Sequence, residues 1–119
     1  MSYDDQNIFA KILRGEIPNK TVYEDDHVLA FEDINPHAPV HVLVIPKGPY
    51  TDIGDFSANA SDLEITAYYR AFPKILDKLD LTGDGYRVIA NCGINGGQEV
   101  PHFHSHILGG TKIGCMVSK

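Results

Sequence analysis

Three histidines at alternate positions, His102, His104 and His106, are the feature that most constrains how this chain can fold. Residues at positions i, i+2 and i+4 of a β-strand project from one face of a sheet, with neighbours about 7 Å apart. The spacing therefore predicts a final strand over residues 103–108, with a row of imidazoles along one of its faces.

Four other short segments have the β-branched and apolar composition of strands. They are residues 21–23, 28–31, 40–45 and 86–90. The segment 40–45 is apolar enough for a buried central strand. Because strands outnumber helices and short turns join them, the predicted fold class is α+β with a mainly antiparallel sheet.

Two helices complete the predicted fold, one short and N-terminal and one long. Asn7 is the expected cap of the first helix. The second spans residues 61–79, where Ser61 and Glu64 have the spacing of a capping box. Pro73 lies inside this helix and is expected to kink or split it. The predicted apolar stripe of the helix consists of Leu63, Ala67, Phe72, Leu76 and Leu79.

The composition excludes several classes of protein. A length of 119 residues, 43% of them hydrophobic, is typical of one globular domain, here residues 1–119. The net charge of −6 and the lack of basic clusters argue against a nucleic-acid polymer as partner. The apolar stretches are too short to cross a bilayer and the start is acidic, so we expect a cytoplasmic protein with no membrane partner. Cys92 and Cys115 lack metal or disulfide spacing and are interpreted as reduced structural thiols.

A structural role and a metal role compete for the histidine row. A structural row would have several buried polar groups to satisfy, at about 1–3 kcal/mol for each one left unpaired. A His-x-His pair with a third histidine elsewhere is a good zinc arrangement. However, zinc–nitrogen bonds of about 2.0–2.1 Å demand convergence, and positions i and i+4 of a strand lie about 13 Å apart. At most two of the row could share an ion, so we predict no metal and no cofactor and keep the metal site as an alternative.

The third role is nucleophilic chemistry at phosphorus. A neutral imidazole attacks well near neutral pH when its other nitrogen donates to a fixed acceptor, and neighbouring histidines can carry protons. The Gly-rich residues 91–99 directly precede the row, and backbone N–H groups of such a loop can approach an anion. His41 is a fourth candidate, because its strand could pair beside the row. These residues favour a small phosphate ligand.

Four ordered segments support a resemblance to a known family. Residues 97–110 read GQEVPHFHSHILGG, and three earlier segments are 8–18 (IFAKILRGEIP), 31–36 (FEDINP) and 38–47 (APVHVLVIPK). The segment 97–110 resembles the histidine triad (HIT) signature His-φ-His-φ-His-φ-φ, where φ is apolar. The closing Gly109-Gly110 and the other segments resemble the nucleotide-binding branch of that family, HINT. The resemblance covers nearly the whole chain and implies a HIT-like fold.

The resemblance implies hydrolysis of purine nucleoside phosphoramidates, such as adenylylated amines, by a homodimer whose sheets join into one. His104 would attack the α-phosphorus and carry the nucleotidyl group. His106 would form a hydrogen bond to the phosphate or leaving group and help to protonate the departing amine. His102 and His41 would form a supporting relay that fixes tautomers.

The resemblance also assigns the binding residues for the expected partner, a purine nucleoside monophosphate or its phosphoramidate esters. Asn91 and the backbone near Gly97, Gln98 and Glu99 would contact phosphate. Asp33 would accept from the ribose hydroxyls, although an Asp before Asn35-Pro36 is also an ordinary turn residue. The base pocket would be walled by Ile8, Phe9, Ile12, Phe31 and Ile34, residues that a core would also use.

Several positions match the family less well. Ser105 stands where an apolar residue is usual, so the outward face of its strand is expected to be wetter. Pro101 replaces a common aromatic residue and removes a backbone donor. Glu99 stands where some members carry Ser, which bears on leaving-group preference. His27 and His37 match no motif position and are expected at the surface.

Two functional alternatives stay open at this point. One is hydrolysis of dinucleoside polyphosphates, as in another HIT branch. The other is a nucleotide-binding interaction protein with vestigial catalysis, against which the three intact histidines stand.

Overall fold

A five-stranded antiparallel sheet organises the computed structural model, which describes residues 3–117. The strands are β1 (Thr21–Glu24), β2 (Val28–Glu32), β3 (Val40–Pro46), β4 (Tyr86–Ile89) and β5 (Ser105–Gly109). Their spatial order is β1-β2-β3-β5-β4, and every pairing is antiparallel. The α+β class predicted from the sequence is confirmed. Within residues 3–117, none of the helices has the length and hydropathy needed to span a membrane.

Four helices lie around the sheet in the described part of the chain. They are α1 (Ile8–Leu13), α2 (Ile53–Asn59), α3 (Asp62–Lys78) and the single turn α4 (Gly93–Gly96). The cap predicted for α1 is confirmed, since the Asn7 side chain accepts from the backbone N–H of Ala10. The capping box of Ser61 and Glu64 at the start of α3 is also confirmed. Caps of this kind satisfy N–H groups that have no partner inside the helix.

The central strands are mostly apolar, with hydrophobic residues on both faces, because both faces of the sheet are covered. Alternate residues of β2 and β3, among them Val28 and Val42, pack in a core beneath α3. The intervening residues, among them Phe31 and Leu43, pack on the other face against Phe9 of α1. A strand buried on both faces reads as a continuous hydrophobic run, which explains the segment 40–45.

Three expectations about the helices need correction. The helix α2 was not predicted; Asp52 caps it and Phe56 anchors it in the core with no exposure. Pro73 does not split α3, which continues from Asp62 to Lys78. Pro73 and Tyr69, whose carbonyl loses its partner, both lie on the exposed side, where water can serve instead. The predicted stripe is shifted, because Leu63 is 64% exposed and the buried residues of α3 are Tyr68, Ala71, Ile75 and Leu76.

The final strand begins later than predicted, at Ser105 rather than at residue 103. The backbone N–H of Phe103 donates to the carbonyl of Tyr50 at 2.7 Å, so it leaves the ladder between β3 and β5. Alternation of the side chains continues through this irregular stretch nonetheless. Phe103 and Ile107 pack beneath α3, whereas His102 and His104 contact Phe9 on the opposite face.

Two surface expectations are wrong. Ser105 is buried, with 4% of its surface exposed, and its hydroxyl lies 2.9 Å from that of Tyr68. Tyr68 also donates to the carbonyl of Val44 at 2.9 Å, so the polar residue on this strand is matched by a polar partner in the core. Cys92 and Cys115 are free and exposed, and neither packs as a structural thiol.

We predict that Tyr68→Phe lowers the free energy of unfolding by about 1–3 kcal/mol, because the buried Ser105 hydroxyl loses its partner. Adding Ser105→Ala should recover part of that loss, since removal of both partners leaves no unpaired hydroxyl. Urea unfolding of the two single variants and the double variant measures this coupling. Strictly additive effects would contradict the pairing.

Candidate active site

A cavity of about 450 Å³ lies between α1, the turn after β2 and the loop that precedes β5. That volume suits a small molecule. Twelve of the predicted site residues line it: Ile8, Phe9, Ile12, Phe31, Asp33, Ile34, Asn91, Gly97, Gln98, Glu99, His104 and His106. Residues with no predicted role also line it, including Ile17, Leu43, Val100 and His37. The cavity therefore brings together chain segments that are far apart in sequence.

The apolar side of the cavity is formed mainly by α1 and β2. Phe9 and Phe31 meet edge to face with ring centroids 5.6 Å apart, and both are buried. Ile12 lies in the same cluster. Ile34 differs from these three, because 94% of its surface is exposed. It is placed at the rim, where it can cover a ligand, and not in the wall.

His104 is held so that one ring nitrogen is available to the cavity. Its Nδ1 lies 2.7 Å from the backbone carbonyl of His102. Since a carbonyl only accepts, Nδ1 carries the proton and Nε2 carries the lone pair. Burial lowers the pKa of His104, although its bond to that carbonyl opposes the shift, so the ring is neutral near pH 7. This is the state that a nucleophilic imidazole requires.

A chain of hydrogen bonds gives His106 the opposite tautomer from that of His104, with the proton on Nε2. The backbone N–H of His37 donates to Nδ1 of His41 at 3.0 Å, so the proton of neutral His41 is on Nε2. That Nε2 lies 2.9 Å from Nδ1 of His106 and donates to it. His106 must then carry its own proton on Nε2. Burial, together with His104 and His41, lowers the pKa of His106 to about 4, and burial lowers that of His41.

The rings of His104 and His106 are neighbours, with centroids 5.0 Å apart. One presents a lone pair and the other an N–H group. The backbone of His37, rather than its exposed side chain, makes this possible. Because every residue except proline has a backbone N–H, no feature of the sequence could have identified His37 as this donor.

The rings of His102 and His41, predicted to form one relay, bond to separate partners. The His102 ring is completely buried, with Nδ1 2.6 Å from the Tyr3 hydroxyl and Nε2 2.8 Å from the carbonyl of Pro46. His102 therefore supports His104 through its backbone carbonyl, whereas His41 supports His106 through its ring. Burial lowers the pKa of His102 to about 4, which keeps it neutral.

The polar loop residues are already engaged within the protein. The backbone N–H groups of Gly97 and Gln98 donate to the carbonyls of Ile94 and Gly93, so both N–H groups are already paired in this conformation. The Gln98 side chain donates to the carbonyls of Thr51 and Val100.

Asn91 and Asp33 also make internal contacts beside the cavity that they line. The Asn91 side chain donates to the carbonyl of Gly96. One Asp33 oxygen accepts from Asn35 in a turn, and the other lies 3.4 Å from Nε2 of His41. The turn role and a place at the cavity are thus combined in Asp33.

Asp33, His41 and His106 bring three potential metal-ligand atoms within 4.8 Å of one another. The zinc arrangement considered from the sequence used two histidines of the row, whereas this cluster uses only His106. The backbone N–H of His37 donates to Nδ1 of His41, so Nε2 of His41 carries a proton at the position where an ion would need a lone pair. The cluster is arranged to hold a proton.

Comparison with known proteins shows a consistent similarity. The HIT domain matches residues 14–113. The chain is 42% identical over 114 residues to the purine nucleoside phosphoramidase of Escherichia coli, which covers 96% of this chain and 95% of that protein. It is 46% identical over 110 residues to a 14 kDa zinc-binding protein of Zea mays, covering 92% and 86%. The solved structure of a HIT family hydrolase from Clostridium thermocellum superposes with a TM-score of 0.86 and 39% identity, covering 97% of this chain and 99% of that one.

We predict that mild acid destabilises the protein through its buried histidines. Because the pKa values of His102 and His106 fall from 6.5 to about 4 on folding, the unfolded state binds more protons between those values. Stability is therefore complete above pH 6.5 and declines toward pH 4, by up to about 1.4 kcal/mol per pH unit for each histidine that stays neutral.

Urea unfolding at a series of pH values from neutral to about 5 measures this slope, a range in which few carboxylates titrate. The variant His102→Asn removes one of the shifted groups and should show a smaller slope. An unfolding free energy that is constant over the range would refute the assignment of neutral rings.

Proposed function

The chain belongs to the HIT domain family, among its hydrolases, and we propose that it cleaves the phosphorus–nitrogen bond of purine nucleoside phosphoramidates. Adenylylated amines are the simplest such substrates. The observation that carries the proposal is the pair of adjacent rings at the cavity, in which His104 offers a lone pair and His106 an N–H group. The similarity to a protein named purine nucleoside phosphoramidase supports it.

The proposed reaction has two steps. In the first, Nε2 of His104 attacks the α-phosphorus, the phosphorus–nitrogen bond breaks, and the amine leaves with a proton delivered through Nε2 of His106. In the second, water attacks the nucleotidyl group, the bond to His104 breaks, and the proton released by water restores His106. The products are an amine and a nucleoside monophosphate, so atoms and protons balance.

The binding roles follow from the two sides of the cavity. The base would lie against Phe9, Ile12 and Phe31, which form an apolar slot of the kind that takes aromatic ligands. The Asp33 carboxylate, at the cavity wall, would accept from the ribose hydroxyls. Asn91 and the loop residues Gly97, Gln98 and Glu99 line the same cavity as His104 and would contact the phosphate.

A homodimer is the proposed assembly, and the edge strand β4 supports it. Tyr86 and Val88 are 46% and 45% exposed and point to the same face of the sheet as α3. The helix α3 packs mainly over β1, β2 and β3, and the exposed side chains of Tyr86 and Val88 leave β4 open to a partner. An open edge with apolar side chains is a template for pairing with another strand. A second copy that paired there would extend the sheet.

We predict that the protein elutes at twice its monomer mass of 13.1 kDa and that Val88→Glu shifts it to the monomer, because a charge would be buried at the interface. Size-exclusion chromatography with light scattering measures both masses. Thr21→Glu on the opposite edge of the sheet is the matched control and should remain dimeric. Equal masses for the two variants would argue against β4 as the interface.

We predict that His104→Ala loses turnover of an adenylylated amine by about a thousandfold or more, since the covalent step is abolished, while AMP binding is retained. His27→Ala, which alters a histidine away from the cavity, should keep the wild-type rate. Quenching the wild-type reaction in base and mapping the adduct by mass spectrometry should place the nucleotidyl group on His104. Turnover by His104→Ala at the wild-type rate would refute the mechanism, and tight AMP binding without any adduct would favour an interaction protein.

A further inference from the structure

A hydrogen-bond chain outside the cavity ends on the completely buried ring of His102. The Tyr3 hydroxyl lies 2.6 Å from Nδ1 of His102, and their rings meet edge to face. The Asn7 side-chain amide donates to the Tyr3 oxygen at 2.9 Å. Nε2 of His102 lies 2.8 Å from the carbonyl of Pro46. Tyr3 and Pro46 thus contact the imidazole directly, and Asn7 joins the chain through Tyr3.

Each bond in this chain has only one possible direction. The carbonyl of Pro46 can only accept, so His102 carries its proton on Nε2. Its Nδ1 therefore needs a donor, and the Tyr3 hydroxyl is the group in contact with it. The Tyr3 hydroxyl therefore donates to Nδ1 of His102, and its oxygen accepts from the Asn7 amide. The side-chain oxygen of Asn7 accepts from the backbone N–H of Ala10, which is the capping bond of α1.

The position of His102 matters because its backbone carbonyl holds Nδ1 of His104 at 2.7 Å. A ring anchored at both nitrogens cannot turn, so the carbonyl of the same residue stays directed at His104. Without the hydroxyl, Nδ1 of His102 would be a buried acceptor with no partner. The ring could then find a partner for Nδ1 by changing tautomer or rotating, but either change would break the hydrogen bond from Nε2 to the carbonyl of Pro46.

We propose that Tyr3 is a positioning residue for the reaction at His104, acting through the tautomer and placement of His102. The inference rests on the proposed function for its kinetic consequence. Tyr3 does not line the cavity, so its effect should fall on the chemical step and leave substrate binding almost unchanged.

The first test is Tyr3→Phe, which removes only the hydroxyl. The single-turnover rate of nucleotidyl transfer from an adenylylated amine should fall about tenfold, while KM stays within about twofold. Nitrogen-15 NMR of the histidine rings should show His102 in the Nε2–H form in the wild type and in a mixture of forms in the variant. Tyr23→Phe is the matched control, since it removes a hydroxyl that bonds to Asp25, and should change neither measurement.

A second pair of variants reverses the chain without altering Tyr3 or His102. Asp is a good cap, so Asn7→Asp should keep α1, but its carboxylate would draw the Tyr3 proton away from His102. Asn7→Ser also keeps the cap and lacks the carboxylate. Both variants lose the Asn7 amide, so they differ mainly in whether a carboxylate is present to accept from the Tyr3 hydroxyl. We expect the slower rate and the mixed tautomer for Asn7→Asp only, a result that does not depend on Tyr3→Phe folding well.

The two readouts separate this inference from the proposed function. If the wild type failed to cleave the phosphoramidate, the NMR comparison would still show whether Tyr3 sets the tautomer of His102. An unchanged His102 signal in Tyr3→Phe would overturn the inference, as would a slower rate without a change of tautomer. Identical behaviour of Asn7→Asp and Asn7→Ser would overturn the direction of the hydrogen bonds on which it depends.

Discussion

A neutral imidazole has one donor and one acceptor, and burial forces each of them to find a partner of the opposite kind. In this protein the partner at one nitrogen determines what the other nitrogen presents. A carbonyl against Nδ1 of His104 leaves a lone pair on Nε2. An N–H group donating to Nδ1 of His41 puts the His41 proton on Nε2, which donates to Nδ1 of His106. His106 is therefore left with its own proton on Nε2. The different chemistry of two neighbouring rings is therefore a consequence of hydrogen-bond direction.

The sheet and α1 supply those partners. Antiparallel pairing of β3 with β5 puts His41 and His106 on the same face as diagonal neighbours, within bonding distance. The helix α1 covers that face with Phe9, which contacts the rings of His102 and His104. The burial that α1 provides lowers the pKa of each ring and keeps the row uncharged. Structure and proposed chemistry thus depend on the same packing.

Elements with a strong local signal were predictable, and those that depend on distant contacts were not. The strands, the Asn7 cap and the capping box of α3 follow from composition and spacing within a few residues. The helix α2 contains Gly54, Ser57 and Asn59, which are weak helix formers, and it depends on Phe56 entering a core made elsewhere. The buried Ser105 was misjudged for the same reason, because its partner Tyr68 lies 37 positions away.

Alternation alone determined that the three imidazoles share a face, and the ordered segments alone indicated the family and most of the residues around the cavity. What only the tertiary structure decided is which nitrogen of each ring carries the proton. The deciding partners are the carbonyls of His102 and Pro46, the N–H of His37 and the hydroxyl of Tyr3. Apart from proline, which lacks the N–H, all residues carry the same backbone groups, so these groups leave almost no mark in a sequence. They acquire a role only when folding places them against a particular ring.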